Sequence, residues 1–136
     1  MATFLLDTNT FSFLMKQHLR VVAHAASVLP PNELATCAIV RGEIEFGLRR
    51  MSPGRRRRHL EATAANLFAG LPYLPMAEAA GDAYARLKRR GEQAGLPLDE
   101  NDLWIAATAI ACGAILVTAD RDFSRVSGLR VEDWTV

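Results

Sequence analysis

The chain has 136 residues, a length typical of one domain that buries about two thirds of its unfolded surface. Half of the residues are hydrophobic, 23% are charged and 7% are aromatic, which excludes disordered and fibrous proteins. The net charge is +1 but unevenly spread, since residues 41–60 hold seven arginines against two glutamates and residues 97–122 hold five acids against one arginine. We therefore expect a single domain over residues 1–136, with a basic surface beside an acidic pocket.

Cysteine usage and hydropathy bear on the cellular compartment. Cys37 and Cys112 lie in apolar surroundings without the spacing of a zinc site or a disulfide framework, which favours a reducing cytoplasm. Asp7 interrupts the apolar stretch of the N-terminus, so we expect no signal peptide. The longest uncharged run, 104–119, is shorter than the roughly 20 residues of a spanning helix, so we expect no membrane segment.

The first predicted elements are a strand and two helices. The apolar run TFLL predicts a short strand that ends at Asp7, and a helix follows for which Thr8 or Asn9 is available as the cap. Residues 19–29 have a helical pattern and end at two prolines. The chain therefore begins as strand, turn and helix.

The middle of the chain alternates between buried and amphipathic patterns. LATCAIV, 34–40, predicts a second buried strand, and helical spacing begins at about Ile39 and continues to Arg50. Pro53 and Gly54 precede a further Arg-rich helix. YLPM, 73–76, is bounded by prolines and is typical of an exposed or edge strand.

The last third of the chain predicts two helices and two strands. Residues 78–94 form an Ala-rich helical segment that ends at Gly95, and a second helix begins at Asp99. AILVT, 114–118, predicts a buried strand, and the tail adds a short strand around 129–131. Strands that alternate with helices indicate a three-layer α/β/α sandwich with a mainly parallel central sheet.

Acidic residues follow the ends of these predicted strands or begin the neighbouring helices. In an open parallel sheet, ligands bind beyond the carboxyl ends of the strands. The candidate acids are Asp7, Glu43, Asp102, Asp120 and Asp122.

Carboxylates gathered in this way repel one another unless a cation compensates them. Hard oxygen ligands without histidine or cysteine favour Mg²⁺, with Mn²⁺ as a possible substitute, and such an ion can activate water against a phosphodiester. Thr8 and Asn9 could orient a ligand or water from the same turn.

Four motifs carry a resemblance to a known family. They are FLLDTN at 4–9, GEIEFG at 42–47, NDLWIAATA at 101–109 and VTADRDF at 117–123. Their order and approximate spacing resemble the PIN domain, and the chain looks most like the VapC toxins of VapBC toxin-antitoxin systems. The resemblance implies a metal-dependent endoribonuclease that acts on RNA, forms a homodimer and is inhibited by a cognate VapB-like antitoxin.

The resemblance also implies roles for particular residues. By position, Asp7, Glu43 and Asp102 match the three principal acids of the family, and Thr8 supports the site. Family members differ in which acid after the last buried strand completes the set. Asp120 and Asp122 both qualify as metal ligands, with Asp120 as the first choice for a catalytic role.

Each of these residues also has an ordinary structural interpretation. Asp7 could form an Asx turn, Asp102 could form a capping arrangement with Asp99, and Asp122 could cap a turn before Phe123. The arginine run 55–58 is more often a solvated helix face than a surface for RNA or antitoxin.

Two other enzyme classes fit poorly. A haloacid-dehalogenase-type phosphatase needs a second aspartate two residues after the first, where this chain has Asn9. A receiver domain needs a lysine after a later strand, but Lys16 and Lys88 both lie in helical segments. The alternative from a different class is a non-catalytic PIN-like protein that binds RNA or a partner.

Overall fold

The computed structural model describes residues 1–96 and 98–136. In these residues the strands are β1 (Thr3–Leu6), β2 (Glu33–Ala35), β3 (Ile115–Val117) and β4 (Val131–Glu132). The helices of the same residues are α1 (Thr8–Met15), α2 (Leu19–Ala26), α3 (Ala38–Arg50), α4 (Arg55–Gly70), α5 (Glu78–Ala94) and α6 (Glu100–Ala111), and a 3₁₀ helix covers Arg121–Arg125.

The four strands form one sheet in the order β2-β1-β3-β4, and every strand pair is parallel. The central strands are apolar because both faces of a parallel sheet are covered by helices. Leu5 and Leu6 of β1 and Leu116 and Val117 of β3 are accordingly fully buried. The predicted α/β fold with a mainly parallel sheet is confirmed.

The strand order places a topological switch point between β1 and β3. The chain moves from β1 to β2 on one side and then returns past β1 to β3 and β4 on the other. Right-handed crossovers in opposite directions place helices on both faces of the sheet. Because Leu6 is in register with Val117, the next residues, Asp7 and Thr118, leave the sheet side by side. Ligands of open parallel sheets bind at such a point.

Two pairs of stacked aromatic side chains contribute to the packing of helix against helix. Phe11 of α1 stacks on Phe68 of α4, with ring centroids 4.5 Å apart and planes 14° apart. Tyr84 of α5 stacks on Trp104 of α6 at 4.0 Å and 7°. Among the described residues, no helix combines the length and the apolar character needed to cross a membrane.

Two predicted strand boundaries differ from the structure, and one predicted edge strand is wrong. The second strand stops at Ala35, and residues 38–40 already belong to α3. The segment YLPM contributes one isolated bridge, between Tyr73 and Thr36, because the prolines on either side of Tyr73 and Leu74 supply no N–H donors. The tail strand is Val131–Glu132, slightly later than predicted.

Candidate active site

Asp7 lies at the junction of β1 and α1. Its backbone N–H donates to the carbonyl of Val117 at 3.0 Å, which continues the pairing of β1 with β3. Its Oδ1 accepts the N–H of Thr10 at 2.8 Å, so Asp7 is the N-cap of α1. The prediction that Thr8 or Asn9 caps this helix is therefore wrong, because the helix already begins at Thr8, one residue earlier than a Thr8 cap requires and two earlier than an Asn9 cap requires.

The environment of Asp7 raises the pKa of its carboxyl group. Burial is the largest cause, since the residue is only 5% exposed. Hydrogen bonds from Thr118 and Thr10 oppose this effect by stabilising the charged form, and the negative charge of Asp120 adds to it. Asp7 therefore combines a helix cap with a place among interacting acids.

Glu43 is positioned by donors from two neighbouring helices. Ile44 and Leu48 fix the core face of α3, which leaves Glu43 half-buried at the edge of the sheet. The Thr8 hydroxyl donates to Glu43 Oε1 at 2.5 Å, and Asn101 Nδ2 donates to Glu43 Oε2 at 3.3 Å. Both carboxylate oxygens of Glu43 are thus oriented, one from α1 and one from α6.

Asp102 lies in the first turn of α6. Its backbone N–H donates to Asp99 Oδ1 at 2.8 Å, so the predicted capping arrangement of these two residues is present. The pKa of the Asp102 carboxyl is raised to about 7, first by burial and then by the charge of Asp99. The remaining contributions come from three more acids, Glu43, Asp120 and Asp7. The negative charges of the other three acids of the predicted catalytic set therefore all raise the pKa of Asp102.

Asp120 and Asp122 follow β3 but have different surroundings. The Asp120 N–H donates to the hydroxyl of Thr118 at 3.0 Å, and Asp120 Oδ1 accepts the Asp122 N–H at 2.9 Å. Asp120, rather than Asp122, is thus the N-cap of the 3₁₀ helix. The charge of Asp120 raises the pKa of both Asp7 and Asp102.

The comparisons with known proteins identify the family of the chain. The model of the PIN domain matches residues 4–129. The chain belongs to the PIN domain family. It is similar to ribonuclease VapC1 of Haemophilus influenzae, at 31% identity over 137 residues that cover 97% of this chain and 98% of the relative. It is also similar to the tRNA(fMet)-specific endonuclease VapC of Salmonella typhimurium, at 31% identity over 140 residues that cover 98% and 99% of the two chains.

A solved structure gives the same result at the level of the fold. The structure of VapBC2 from Rickettsia felis bound to a DNA fragment from their promoter contains a chain that superimposes with a TM-score of 0.87 at 25% identity. The match covers 97% of this chain and 98% of that chain. The PIN fold therefore extends over nearly the whole molecule.

Two polar residues that the sequence does not single out contact the candidate acids. Thr118 contacts both Asp7 and Asp120, and Asn101 contacts Glu43. Both lie inside motifs that carry the family resemblance, and Thr118 is the first polar residue after a buried strand. The position of Thr118 directly after a buried strand could have identified it, because the residues that follow parallel strands lie together at the carboxyl edge of the sheet.

The candidate acids are close enough to raise the pKa of Asp7 and Asp102, but they do not surround one common point. In residues 1–96 and 98–136, no three Asp, Glu, His or Cys side chains are arranged to hold an ion in common. The donor set is nonetheless made of carboxylate oxygens, which are ligands for hard cations. Asn9 is exposed and lines a groove beside Thr8.

Proposed function

We propose that this chain is a VapC-type endoribonuclease, the toxin of a toxin-antitoxin pair. The observation that carries the proposal is that Asp7, Glu43 and Asp120 lie close enough to Asp102, at the switch point of a PIN fold, for their charges to raise its pKa. The family and the nearly full-length relatives named as ribonucleases support it. The substrate class is RNA, and the reaction is hydrolysis of a phosphodiester bond.

The cofactor that we propose is Mg²⁺, for which Mn²⁺ can substitute. Asp7, Glu43, Asp102 and Asp120 would hold it, and Asp122 is a further acid at the same edge. Magnesium usually keeps several waters and binds only one or two carboxylates together with substrate phosphates. A site whose acids do not all surround one common point is therefore compatible with this ion. When bound, it supplies an activated water and stabilises negative charge on the phosphate.

The chain's own residues orient the acids for this chemistry. Thr8 and Asn101 fix both oxygens of Glu43, and Thr118 holds the backbone of Asp120. The carboxyl of Asp102 has a pKa of about 7, so near neutral pH it is charged in only part of the molecules. A cation that displaces this proton would gain a ligand without moving the helix.

The partner that we propose is a VapB-like antitoxin segment. A groove of about 300 Å³ runs between α1, α3 and α4 and starts at Thr8 and Glu43. Its apolar walls are Met15, Ile44, Leu48, Met51 and Leu60. An amphipathic segment bound there would lie directly beside the acids and would block access for RNA.

The proposed compartment is the cytoplasm, where RNA and a reducing environment occur together. Cys37 and Cys112 are free thiols, which is consistent with that environment.

Cleavage assays with defined metals test the proposed function. Purified protein is incubated with total RNA in Mg²⁺, in Mn²⁺ and in chelator, beside the variants Asp102→Asn and Asp82→Asn. Asp82 is an exposed acid on α5, so its replacement is the same chemical change away from the site. We expect cleavage by the wild type and Asp82→Asn in either metal, and none by Asp102→Asn or in chelator. Equal cleavage in chelator would contradict the metal requirement, and RNA that is bound but uncut in both metals would favour a non-catalytic PIN protein.

A further inference from the structure

An exposed aromatic residue lies beside the acids on α3. Phe46 follows Glu43 by three residues, so the two side chains lie on the same side of the helix. Phe46 is 61% exposed, whereas the buried residues of α3 are Val40, Ile44 and Leu48. Phe46 is thus not part of the core.

Arg50 lies one turn further along α3 and contacts the same ring. Its guanidinium carbon is 5.4 Å from the centroid of Phe46, a cation-π distance. Arg50 follows Glu43 by seven residues, which is roughly 10 Å along the helix axis. A negative group, an aromatic ring and a positive group therefore follow one another along one helix.

These residues line an open groove of about 530 Å³ that includes Glu43 of the candidate acids. We call it the Phe46 groove, and its lining includes Thr8, Ile39, Gly42, Glu43, Phe46 and Arg50. Gly42 leaves space in the groove, because a Cβ added there would meet no heavy atom within 4 Å. Along α3 the groove thus has Gly42 and Glu43 at one end, Phe46 in the middle and Arg50 at the other end.

This sequence of groups matches single-stranded RNA better than an apolar protein segment. Unpaired bases stack on aromatic side chains, and arginine contacts phosphates or stacks on bases. An apolar segment would bring no anionic group to Arg50, and a second groove, which shares Thr8, Glu43 and Gly47 with this one, already offers apolar walls. The space over Gly42, four residues before Phe46 on the same side of α3, leaves room for a planar ring beside Phe46.

We propose that the Phe46 groove binds a nucleotide of unpaired RNA next to the phosphodiester at the acids. Phe46 stacks on the base, and Arg50 contacts a phosphate further along the strand. This inference rests on the proposed function and adds to it a positioning surface that selects unpaired RNA. It assigns Phe46 to substrate binding and leaves the hydrolytic step to the acids.

Fluorescence of a short single-stranded RNA that carries 2-aminopurine tests the stacking directly. The fluorescence of this base falls when it stacks, and the measurement is made in chelator so that cleavage does not interfere. The proteins are the wild type, Phe46→Leu, Phe46→Tyr, Gly42→Leu and Arg50→Gln. Phe46→Leu keeps an apolar side chain without a π face, Phe46→Tyr keeps the ring, and Gly42→Leu fills the groove.

We expect the wild type and Phe46→Tyr to quench the probe. Phe46→Leu and Gly42→Leu should lose the quenching and bind the RNA at least about fivefold more weakly, which is the low end of the effect of removing one base-stacking aromatic. Arg50→Gln should weaken binding and reduce its salt dependence. Equal quenching by the wild type and Phe46→Leu would overturn the proposal.

Two further measurements distinguish a nucleotide site in the Phe46 groove from a protein interface, and nucleotide binding from cleavage. If Phe46→Leu keeps its RNA affinity but changes the solution mass, or weakens only the binding of a co-purified antitoxin, the groove is a protein interface and the proposal is overturned. Cleavage of total RNA in Mg²⁺ is recorded in parallel. Phe46-dependent quenching without cleavage would reject the proposed function and keep the nucleotide site, whereas cleavage without that dependence would do the reverse.

Discussion

The hydroxyl of Thr8 donates a 2.5 Å hydrogen bond to Oε1 of Glu43, a residue 35 positions away in the sequence. The bond joins the first turn of α1 to the first half of α3. Asn101 at the start of α6 donates to the other oxygen of the same carboxylate. A flexible side chain on a helix is thus held in one orientation toward the other acids.

Replacement of Thr8 by valine tests this positioning role. Valine keeps the β-branched shape but leaves Glu43 Oε1 without its donor, so we expect kcat to fall by roughly tenfold to 100-fold, the range found for groups that orient metal ligands. Binding of RNA in chelator should change little. Thr8→Ser keeps the hydroxyl and should retain most of the activity. Steady-state cleavage of a defined RNA oligonucleotide measures both, and equal losses in the two variants would argue against the hydrogen bond.

The arginine run at the start of α4 is not uniform. Arg57 pairs with Glu61 at 3.5 Å and donates to the carbonyl of Met51 at 3.2 Å, whereas Arg55, Arg56 and Arg58 are exposed. Three cations in the first turn of a helix also oppose its dipole. The exposed arginines are therefore candidates for phosphate contact, and Arg57 holds the local structure.

Glutamine at positions 55, 56 and 58 should weaken RNA binding and leave folding intact. We expect the slope of log affinity against log salt to decrease by about 0.7 for each phosphate that an arginine no longer neutralises. The melting temperature should stay equal or rise, because three charges that oppose the helix dipole are removed. The matched control replaces Arg86, Arg89 and Arg90 of α5, which are also exposed. Identical slopes for both triple variants and the wild type would show that the run is only a solvated face.

Hydrophobic patterns predicted the elements well but not where they begin and end. The run LATCAIV is apolar apart from Thr36, and Ala35, Cys37 and Val40 are all fully buried. A continuous apolar run cannot distinguish a buried strand from the start of a buried helix, because both need apolar side chains on every side. Here α3 begins inside the run, at Ala38.

The sequence predicted that the acids and Thr8 lie at one edge of the sheet, but it did not single out Thr118 or Asn101. Strand ends and helix starts place acids at one edge of a parallel sheet whatever the exact register. The contact of Thr118 with Asp7 depends on the register of β3 against β1, and that of Asn101 with Glu43 depends on how α6 is rotated. Neither quantity can be read from local sequence.

A homodimer stays a prediction, and the structure changes its basis. The family resemblance implied the dimer, and in the first helix Phe11 and Met15 are not available for it because they belong to the core. Leu19 at the start of α2 and Leu29 after it are 86% and 66% exposed. We expect light scattering to give twice the monomer mass at high micromolar concentration, with a lower value for a Leu19→Gln, Leu29→Gln variant. A strictly monomeric wild type would contradict the prediction.

The raised pKa of Asp102 makes the stability of the metal-free protein depend on pH. The carboxyl has a pKa of about 7 in the folded chain against 3.8 as its ordinary value. Between these values the folded state binds more protons than the unfolded state, so its free energy of unfolding falls as the pH rises from about 4 to about 7. Above that window both states are deprotonated at this residue, and the destabilisation is complete.

Asp102→Asn removes this dependence and separates a metal-site role from a helix-start role. Asparagine is nearly isosteric and carries no charge, so in chelator at pH 8 the variant should melt at the same temperature as the wild type or higher, and its stability should fall less between pH 4 and 7. Mg²⁺ should raise the melting temperature of the wild type and of Asp82→Asn but not that of Asp102→Asn, because an ion that binds only the folded state stabilises it. Cleavage by Asp102→Asn should be lost.

If Asp102 only favoured the start of α6, the variant would instead lose about 0.3 to 1 kcal/mol of helix-dipole stabilisation and stay active. Melting curves across this pH range, with and without Mg²⁺, together with one cleavage assay, distinguish the two roles, and an active, less stable variant would remove Asp102 from the site.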